Sequence, residues 1–161
     1  MKICVIATGG TIDKDYPKSI GGYAFEFGTP AIQRNLEQWN PNFEFDFHCP
    51  FQKDSLEIQE EDRMAIVQII KDSPFENFII THGTDTMLET GEFLSPIFTD
   101  QKIIITGAMR PQRFSNSDAP YNIGGALAAL QIVKPGVYIF IQGVLKKWDE
   151  MERDLETGKF Y

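Results

Sequence analysis

Two threonines that directly follow glycines are the side chains best suited to chemistry in this sequence. Thr11 lies in the segment TGGT and Thr84 in the segment THGTDT. A threonine hydroxyl on an exposed turn can attack a carbonyl carbon once a neighbouring base removes its proton. Asp85, next to Thr84, could orient a water molecule or an amine. One Gly-Thr pair indicates only a turn, but two of them and a third glycine turn, TGAMRP, indicate a site.

Each glycine turn follows a short apolar run that predicts a buried β-strand. The five predicted strands are 2–7, 43–47, 77–80, 102–105 and 137–141, and helix-period segments separate them near 32–39, 59–72, 87–97 and 118–132. Asp118 is predicted to cap the last helix. This alternation predicts a three-layer, doubly wound, mostly parallel α/β sheet of Rossmann or flavodoxin-like type in a single domain, with the strand order left open. The three turns should share the carboxyl edge of the sheet, where ligands bind.

Composition narrows the classes of function. The chain has 161 residues, with 15 Lys plus Arg and 23 Asp plus Glu, for a net charge of −8. This acidic balance argues against nucleic acid or an anionic membrane as a partner, because both need a basic surface. Two cysteines do not indicate a disulfide framework. We find no signal peptide and no membrane-spanning run of ~20 apolar residues, so we expect a cytoplasmic location.

Rival catalytic and binding sites lack their motifs. The sequence has no Walker-type phosphate loop, no G-x-G-x-x-G after a strand and no G-x-S-x-G nucleophile elbow. Its two histidines, His48 and His82, have no ligand spacing to the cysteines, so no metal site is expected. His82 lies within a glycine turn, where we expect it to fix the loop by hydrogen bonds or, less favourably, to act as a general base.

Four segments together resemble the bacterial-type L-asparaginase family. They are ATGGTI (7–12), DSLEI (54–58), THGTDT (81–86) followed by Met87, Glu89 and Thr90, and GAMRP (107–111). They occur in the family's order at fitting distances, and the resemblance covers nearly the whole chain. It implies one domain of the asparaginase N-terminal type, residues 1–161, similar to short asparaginase-like proteins without the family's second domain.

The resemblance implies hydrolysis of the side-chain amide of L-asparagine or a related small amide, without a metal or cofactor. Thr11 would be the nucleophile that forms an acyl-enzyme, assisted by a tyrosine, which is Tyr23 or else Tyr16. Thr84 would belong to a second catalytic set with Asp85 and a lysine. The substrate-binding positions would be Gly10, Ser55, Gly83, Thr84, Asp85 and Ala108.

The charges of a free amino acid agree with these implied roles. Its α-carboxylate needs hydrogen-bond donors and its α-ammonium needs a carboxylate, which Ser55 and Asp85 would supply. The tetrahedral intermediate needs amide donors at a tight turn, for which Gly10 and the Thr84–Asp85 turn are candidates. Ala108 would add a backbone group near the scissile amide. Ser55 could instead serve as a helix cap or turn hydroxyl.

The sequence departs from the family pattern at the lysine of the second catalytic set. The matching segment, WDEMERD, contains no lysine, and our best placement puts Arg153 at this position. Arginine stays charged, so it could hold Asp85 as a carboxylate but could not relay a proton. Lys146 and Lys147 compete for the same role, unless they are solvated charges.

Two other functions remain open at this point. The absent lysine and second domain would suit a catalytically weak relative that binds aspartate, asparagine or another small amino acid. An unrelated flavodoxin-like nucleotide or flavin binder would share the fold class, although the phosphate loop is missing. The resemblance also implies a homo-oligomer, because the family's sites lie near subunit contacts.

Overall fold

The computed structural model describes residues 1–18 and 24–161. Its strands are β1 (Lys2–Ala7), β2 (Lys14–Asp15), β3 (Glu26–Phe27), β4 (Glu44–His48), β5 (Asn77–Thr81), β6 (Lys102–Thr106), β7 (Gly136–Ile141) and β8 (Val144–Lys147). Its α-helices are α1 (Ala31–Trp39), α2 (Glu60–Asp72), α3 (Met87–Leu94) and α4 (Ala119–Leu130). Across these described residues, every helix is too short or too polar to cross a bilayer.

The main sheet has the strand order β4-β1-β5-β6-β7-β8. Its first five members run parallel, and β8 pairs antiparallel with β7. Apolar β-branched side chains form its centre, where Ile80 of β5 stands between Ile6 of β1 and Ile105 of β6. Helices connect the parallel strands, so the strands' carboxyl ends lie at one edge. These observations confirm the predicted mostly parallel α/β fold.

Two apolar clusters cover the two faces of the sheet. On one face, Ile66 of α2 belongs to the same buried cluster as Ile6, together with residues of α3. On the other face, Leu36 of α1 belongs to a cluster with Val5, together with residues of α4. The neighbours Val5 and Ile6 belong to different clusters because successive strand side chains point to opposite faces. The layers are therefore α2 and α3, the sheet, and α1 and α4.

The prediction of five strands in the sheet is wrong, because the described residues also form β8. The turn between β7 and β8 consists of Gln142 and Gly143, with φ of 52° and 82°. Positive φ at both positions suits a two-residue hairpin, but Gln-Gly is a weaker sequence signal than Asn-Gly. Lys146 and Lys147 lie in β8 opposite the middle of β7, away from the carboxyl edge.

Candidate active site

The turns after β1, β5 and β6 are joined at the carboxyl edge of the sheet. Thr8 donates two hydrogen bonds to the Thr81 carbonyl, at 3.0 Å from its backbone nitrogen and 2.9 Å from its hydroxyl oxygen. The His82 N–H donates to the Thr106 carbonyl at 2.8 Å. The three glycine turns predicted to share one edge therefore contact each other.

Two glycines allow these turns to touch. An alanine Cβ at Gly10 would lie 2.4 Å from both the N and the Cα atom of Gly83. A Cβ at Gly83 would lie 2.6 Å from the Cβ of Ser55. Both distances are too short for any side chain, so the backbone of Gly83 packs directly on the other two residues. We call Gly10, Gly83 and Ser55 the glycine junction; Thr11 and Thr84 are the next residues along the chain from its two glycines.

The Gly10 N–H is engaged within the protein, so the expectation that it would hold the tetrahedral intermediate is wrong. It donates to the Lys53 carbonyl at 2.9 Å, while the Lys53 N–H donates to the Thr8 carbonyl at 3.1 Å. Gly9 and Lys53 form an isolated parallel bridge beyond the end of β1. Gly10 therefore contributes a close approach to Gly83 rather than a free amide donor.

Thr11 begins a 3-10 turn that a buried carboxylate anchors. The turn spans Thr11–Asp13, and Thr11 itself is half-buried. The Asp13 carboxylate accepts a hydrogen bond from the Ala31 N–H, 2.7 Å away at the start of α1. Burial raises the pKa of Asp13 to about 6, although this bond and the nearby Arg34 favour the charged form. The candidate nucleophile is thus held between the sheet edge and α1.

Ser55, the third member of the glycine junction, is buried, with 4% of its surface exposed. It begins a 3-10 turn whose cap is Asp54, because the Asp54 and Glu57 carboxylates each accept a backbone N–H of that turn. The helix-cap alternative for Ser55 is therefore wrong. The Ser55 carbonyl accepts the Thr86 hydroxyl at 2.8 Å, which fastens this segment to the turn after β5.

Arg153 contacts the turn after β5. Its Nη1 atom lies 2.7 Å from Asp85 Oδ1 and 3.2 Å from the Thr84 carbonyl oxygen. The Arg153 side chain is 17% exposed and packs 5.3 Å from the Phe160 ring centre, whereas the Asp85 side chain is 50% exposed. Of the three basic residues considered for the lysine position, Arg153 is the one that pairs with Asp85.

The turn after β6 is held by two side chains at the start of α4. Ala108 is buried within this turn. The Asp118 carboxylate accepts two N–H groups of the turn and makes no cap bond to α4, so the prediction of a side-chain cap is wrong. Asn122 donates to the Gly107 carbonyl at 2.9 Å. Sequence reasoning missed these two contacts because a helix position alone does not show which loop a side chain meets.

Of the two tyrosines proposed to assist Thr11, only Tyr16 lies within the described residues. Tyr23 lies outside the described residues, so its role stays a prediction. Tyr16 is 64% exposed, and its ring stacks on Phe114 with centroids 5.8 Å apart. Phe25 meets the same ring edge-on at 5.5 Å. Tyr16 therefore belongs to a surface aromatic cluster.

His82 is a fully buried hydrogen-bonding residue of the turn after β5. Its Nδ1 atom lies 2.8 Å from the Gly83 carbonyl oxygen, and its Nε2 atom lies 2.9 Å from the Thr90 hydroxyl. Burial, together with the charge of Arg63, lowers its pKa to about 4 despite the bond to Gly83. The expectation that His82 fixes the loop is met. Within residues 1–18 and 24–161, no three metal-ligating side chains cluster.

A protein-family comparison agrees with this arrangement. The family model described as "Asparaginase, N-terminal" matches residues 2–148. The chain belongs to the asparaginase family. The alternative prediction of an unrelated flavodoxin-like nucleotide or flavin binder is therefore wrong. The family match confirms the resemblance that the four segments carry.

Individual asparaginase relatives match most of the chain. An L-asparaginase from Thermococcus kodakarensis is 32% identical over 144 residues, which are 86% of this chain and 43% of that protein. A glutaminase-asparaginase from Acinetobacter glutaminasificans is 28% identical over 134 residues, 78% of this chain and 40% of that protein. The solved thermostable L-asparaginase from Thermococcus kodakarensis superposes with a TM-score of 0.83 at 26% identity, covering 100% of this chain and 51% of that one. This chain thus spans about half the length of the relatives it matches.

Proposed function

We propose that this protein is an amidohydrolase that cleaves the side-chain amide of L-asparagine or a related small amide. The observation that carries the proposal is the contact of Gly10 with Gly83, because the residues that follow them are Thr11 and the Thr84–Asp85 pair. The names of two relatives, an L-asparaginase and a glutaminase-asparaginase, support this choice of substrate class.

The two charges of the substrate define its binding. Ser55 donates a hydrogen bond to the α-carboxylate, and Asp85 accepts one from the α-ammonium group. Arg153 bonds only one oxygen of Asp85, and half of the Asp85 side chain is exposed, so the carboxylate can take a second partner. One acid and one hydroxyl on contacting segments match the two charges of an amino acid.

The chemistry is acyl transfer in two steps. The Thr11 oxygen attacks the side-chain amide carbon, while its proton passes through Tyr23 to the leaving nitrogen, and ammonia departs. Water then adds to the threonyl ester, and aspartate leaves as the proton returns to Thr11. Because the Gly10 N–H is engaged by Lys53, the N–H of Thr84 is our candidate donor to the oxyanion.

Arg153 gives the second catalytic set a fixed positive charge. An arginine guanidinium does not lose its proton at any working pH, so Arg153 pairs with Asp85 as a fixed cation and accepts no proton from Thr84. Arg153 also bonds the Thr84 carbonyl, which fixes the backbone of this turn. We therefore assign Thr84 to positioning the acyl carbonyl or the attacking water rather than to nucleophilic attack.

Ammonia release from L-asparagine by the purified 161-residue chain tests this function. We expect release by the unmodified protein and its loss in Thr11→Val, with a melting temperature within a few degrees of the parent. Thr99→Val, at an exposed threonine, is the matched control and should retain full activity. Ammonia release that persists in Thr11→Val would overturn the assignment of the nucleophile.

A second candidate function is binding of aspartate or asparagine without turnover. It is favoured by one observation, the pairing of Arg153 with Asp85 at the position where the family resemblance implies a lysine, because arginine cannot shuttle protons. This function predicts a rise in melting temperature with L-aspartate and no ammonia from L-asparagine. Ammonia release that depends on Thr11 would exclude it in favour of the amidohydrolase.

A further inference from the structure

A chain of hydrogen bonds runs from Arg63 to the carbonyl of the Gly83–Thr84 peptide. Arg63 of α2 donates from Nε to the Thr90 hydroxyl oxygen at 3.2 Å. The Thr90 hydroxyl lies 2.9 Å from His82 Nε2, and His82 Nδ1 lies 2.8 Å from the Gly83 carbonyl oxygen. His82 and Thr90 are fully buried, and Arg63 also pairs with Glu89 at 3.2 Å.

The donor of each hydrogen bond in this series follows from the two end groups, the Arg63 guanidinium and the Gly83 carbonyl. A carbonyl oxygen only accepts, so His82 must carry its proton on Nδ1 and donate to Gly83. The buried ring is neutral, so its Nε2 is an acceptor and takes the single hydroxyl proton of Thr90. The hydroxyl oxygen of Thr90 then accepts from Arg63, which can only donate. All three bonds point from the cation toward the Gly83 carbonyl.

The Gly83 carbonyl and the Thr84 N–H belong to one planar peptide unit. Hydrogen bonds in series polarise one another, and a bond to the carbonyl oxygen draws electron density from the amide nitrogen. The Thr84 N–H thereby becomes a stronger donor. In the described residues this N–H has no partner, and the carbonyl of Thr84 is the group that Arg153 holds.

We propose that Arg63, Thr90 and His82 are positioning residues that orient and polarise the Gly83–Thr84 peptide, so that the Thr84 N–H stabilises the oxyanion of the reaction. The oxyanion part rests on the proposed amidohydrolase function, whereas the direction of the hydrogen bonds does not. The orientation of this peptide matters because Gly83 packs directly on Gly10, the residue before Thr11. The network acts through the peptide and does not touch the substrate.

The test removes the Thr90 hydroxyl, which links Arg63 to His82 in this series of hydrogen bonds. Thr90→Val removes the hydroxyl and keeps the shape, and Thr90→Ser restores a hydroxyl. Thr81→Val is the matched control, because Thr81 is also buried at the end of β5 but its hydroxyl has no hydrogen-bond partner in the structure. Two readouts are used, namely nuclear magnetic resonance of the His82 ring nitrogens and the Thr84 amide proton, and steady-state ammonia release.

The resonance readout decides the hydrogen-bond chain without requiring activity. We expect unmodified protein to hold His82 with its proton on Nδ1, and we expect the Thr84 amide proton to move upfield in Thr90→Val alone. A proton on Nε2 in the unmodified protein would overturn the inference even where Thr90→Val does not fold. An unchanged Thr84 amide in folded Thr90→Val would also overturn it.

The kinetic readout decides the link to the reaction. Loss of one neutral hydrogen bond in the chain should lower kcat about three- to tenfold with little change in KM, because only the developing oxyanion feels the polarised N–H. Thr90→Ser and Thr81→Val should keep parental kcat. A parental kcat in Thr90→Val overturns the role in catalysis. Absence of ammonia release by the unmodified protein is a failure of the proposed function, and the resonance readout then still decides the hydrogen-bond chain.

Discussion

The guanidinium of Arg153 reaches two consecutive residues of one turn, the carboxylate of Asp85 at 2.7 Å and the carbonyl oxygen of Thr84 at 3.2 Å. Packing of the guanidinium against Phe160 and its low exposure hold it in this position. The pair joins a segment beyond the last strand to the turn after β5, some 68 residues earlier in the chain. It therefore connects the folding of that segment to the geometry of the candidate site.

Arg153→Lys tests whether a proton-exchanging group at this position improves turnover. Lysine can keep the contact with Asp85, lacks the planar guanidinium whose Nη1 also reaches Thr84, and can give up a proton when partly buried. We predict a higher kcat for ammonia release from L-asparagine than in the unmodified protein. Arg153→Met, which removes the charge but keeps the stem, serves as the control and should be less active than either. An equal or lower kcat in Arg153→Lys would show that arginine is already suited to this position.

Ser55→Ala tests the assignment of the substrate carboxylate. Loss of one hydrogen bond to a charged group should raise KM for L-asparagine at least about tenfold while kcat changes little, provided that Ser55 binds ground state and transition state alike. Ser115→Ala, at an exposed serine of the loop before α4, is the matched control. Initial rates over a range of asparagine concentrations measure both parameters. A parental KM in Ser55→Ala would remove this serine from the binding site.

Gly10→Ala tests the glycine junction through stability. The new Cβ would lie 2.4 Å from the backbone of Gly83, and Gly10 has φ of 79°, a conformation that a side chain strains. We predict a loss of more than about 2 kcal/mol in the free energy of unfolding, measured by denaturant titration. Gly124→Ala in α4 meets no atom within 4 Å and should be neutral or stabilising by up to about 1 kcal/mol. Equal stability of the two variants would contradict the close contact.

The buried Asp13 carboxylate predicts a pH dependence of stability. Its pKa is about 6 in the folded chain, above the value of about 4 for an exposed aspartate, so the folded state binds more protons between these pH values. Stability should therefore fall as pH rises from about 4 to 6 and stay lower above that range. The positive charge of Arg34 and the Ala31 N–H limit the shift, and burial dominates it.

Asp13→Asn isolates this contribution. The amide oxygen can still accept from Ala31 and the side chain does not titrate, so the stability of the variant relative to its parent should rise by on the order of 3 kcal/mol from below about pH 4 to above about pH 6. The free energy of unfolding of the parent is subtracted from that of the variant at each pH. This subtraction cancels the contribution of His82, which both proteins share. That residue, with its pKa lowered to about 4, costs stability as pH falls below about 6.5. A difference that does not vary with pH would contradict a raised pKa at Asp13.

The parts of the fold that apolar runs encode directly were predictable, and the parts that depend on distant partners were not. β1, β5 and β6 are near-continuous buried strands, so their carboxyl-edge turns could be placed together before any contact was known. β8 follows a Gln-Gly turn with a weak hairpin signal. The engaged N–H of Gly10 depends on Lys53, whose approach no local pattern indicates.

In the candidate site, too, some contacts were predictable from the sequence and others were not. The pairing of Arg153 with Asp85 could be anticipated because a family resemblance supplied the position, whereas the bonds from Asp118 to the turn after β6 could not. The chain from Arg63 to Gly83 was also missed, because its members come from α2, α3 and a loop and are joined only in three dimensions. The roles of the site residues, the homo-oligomer and the cytoplasmic location stay predictions.

Capture of the acyl-enzyme is the most direct test of the mechanism. The purified chain is mixed with L-asparagine, quenched in acid during turnover and digested, and its peptides are weighed by mass spectrometry. The mechanism predicts that the peptide containing Thr11 gains the mass of one aspartyl group and that Thr11→Val shows no such gain. An aspartyl group on the peptide containing Thr84, or no modified peptide while ammonia is being released, would contradict it.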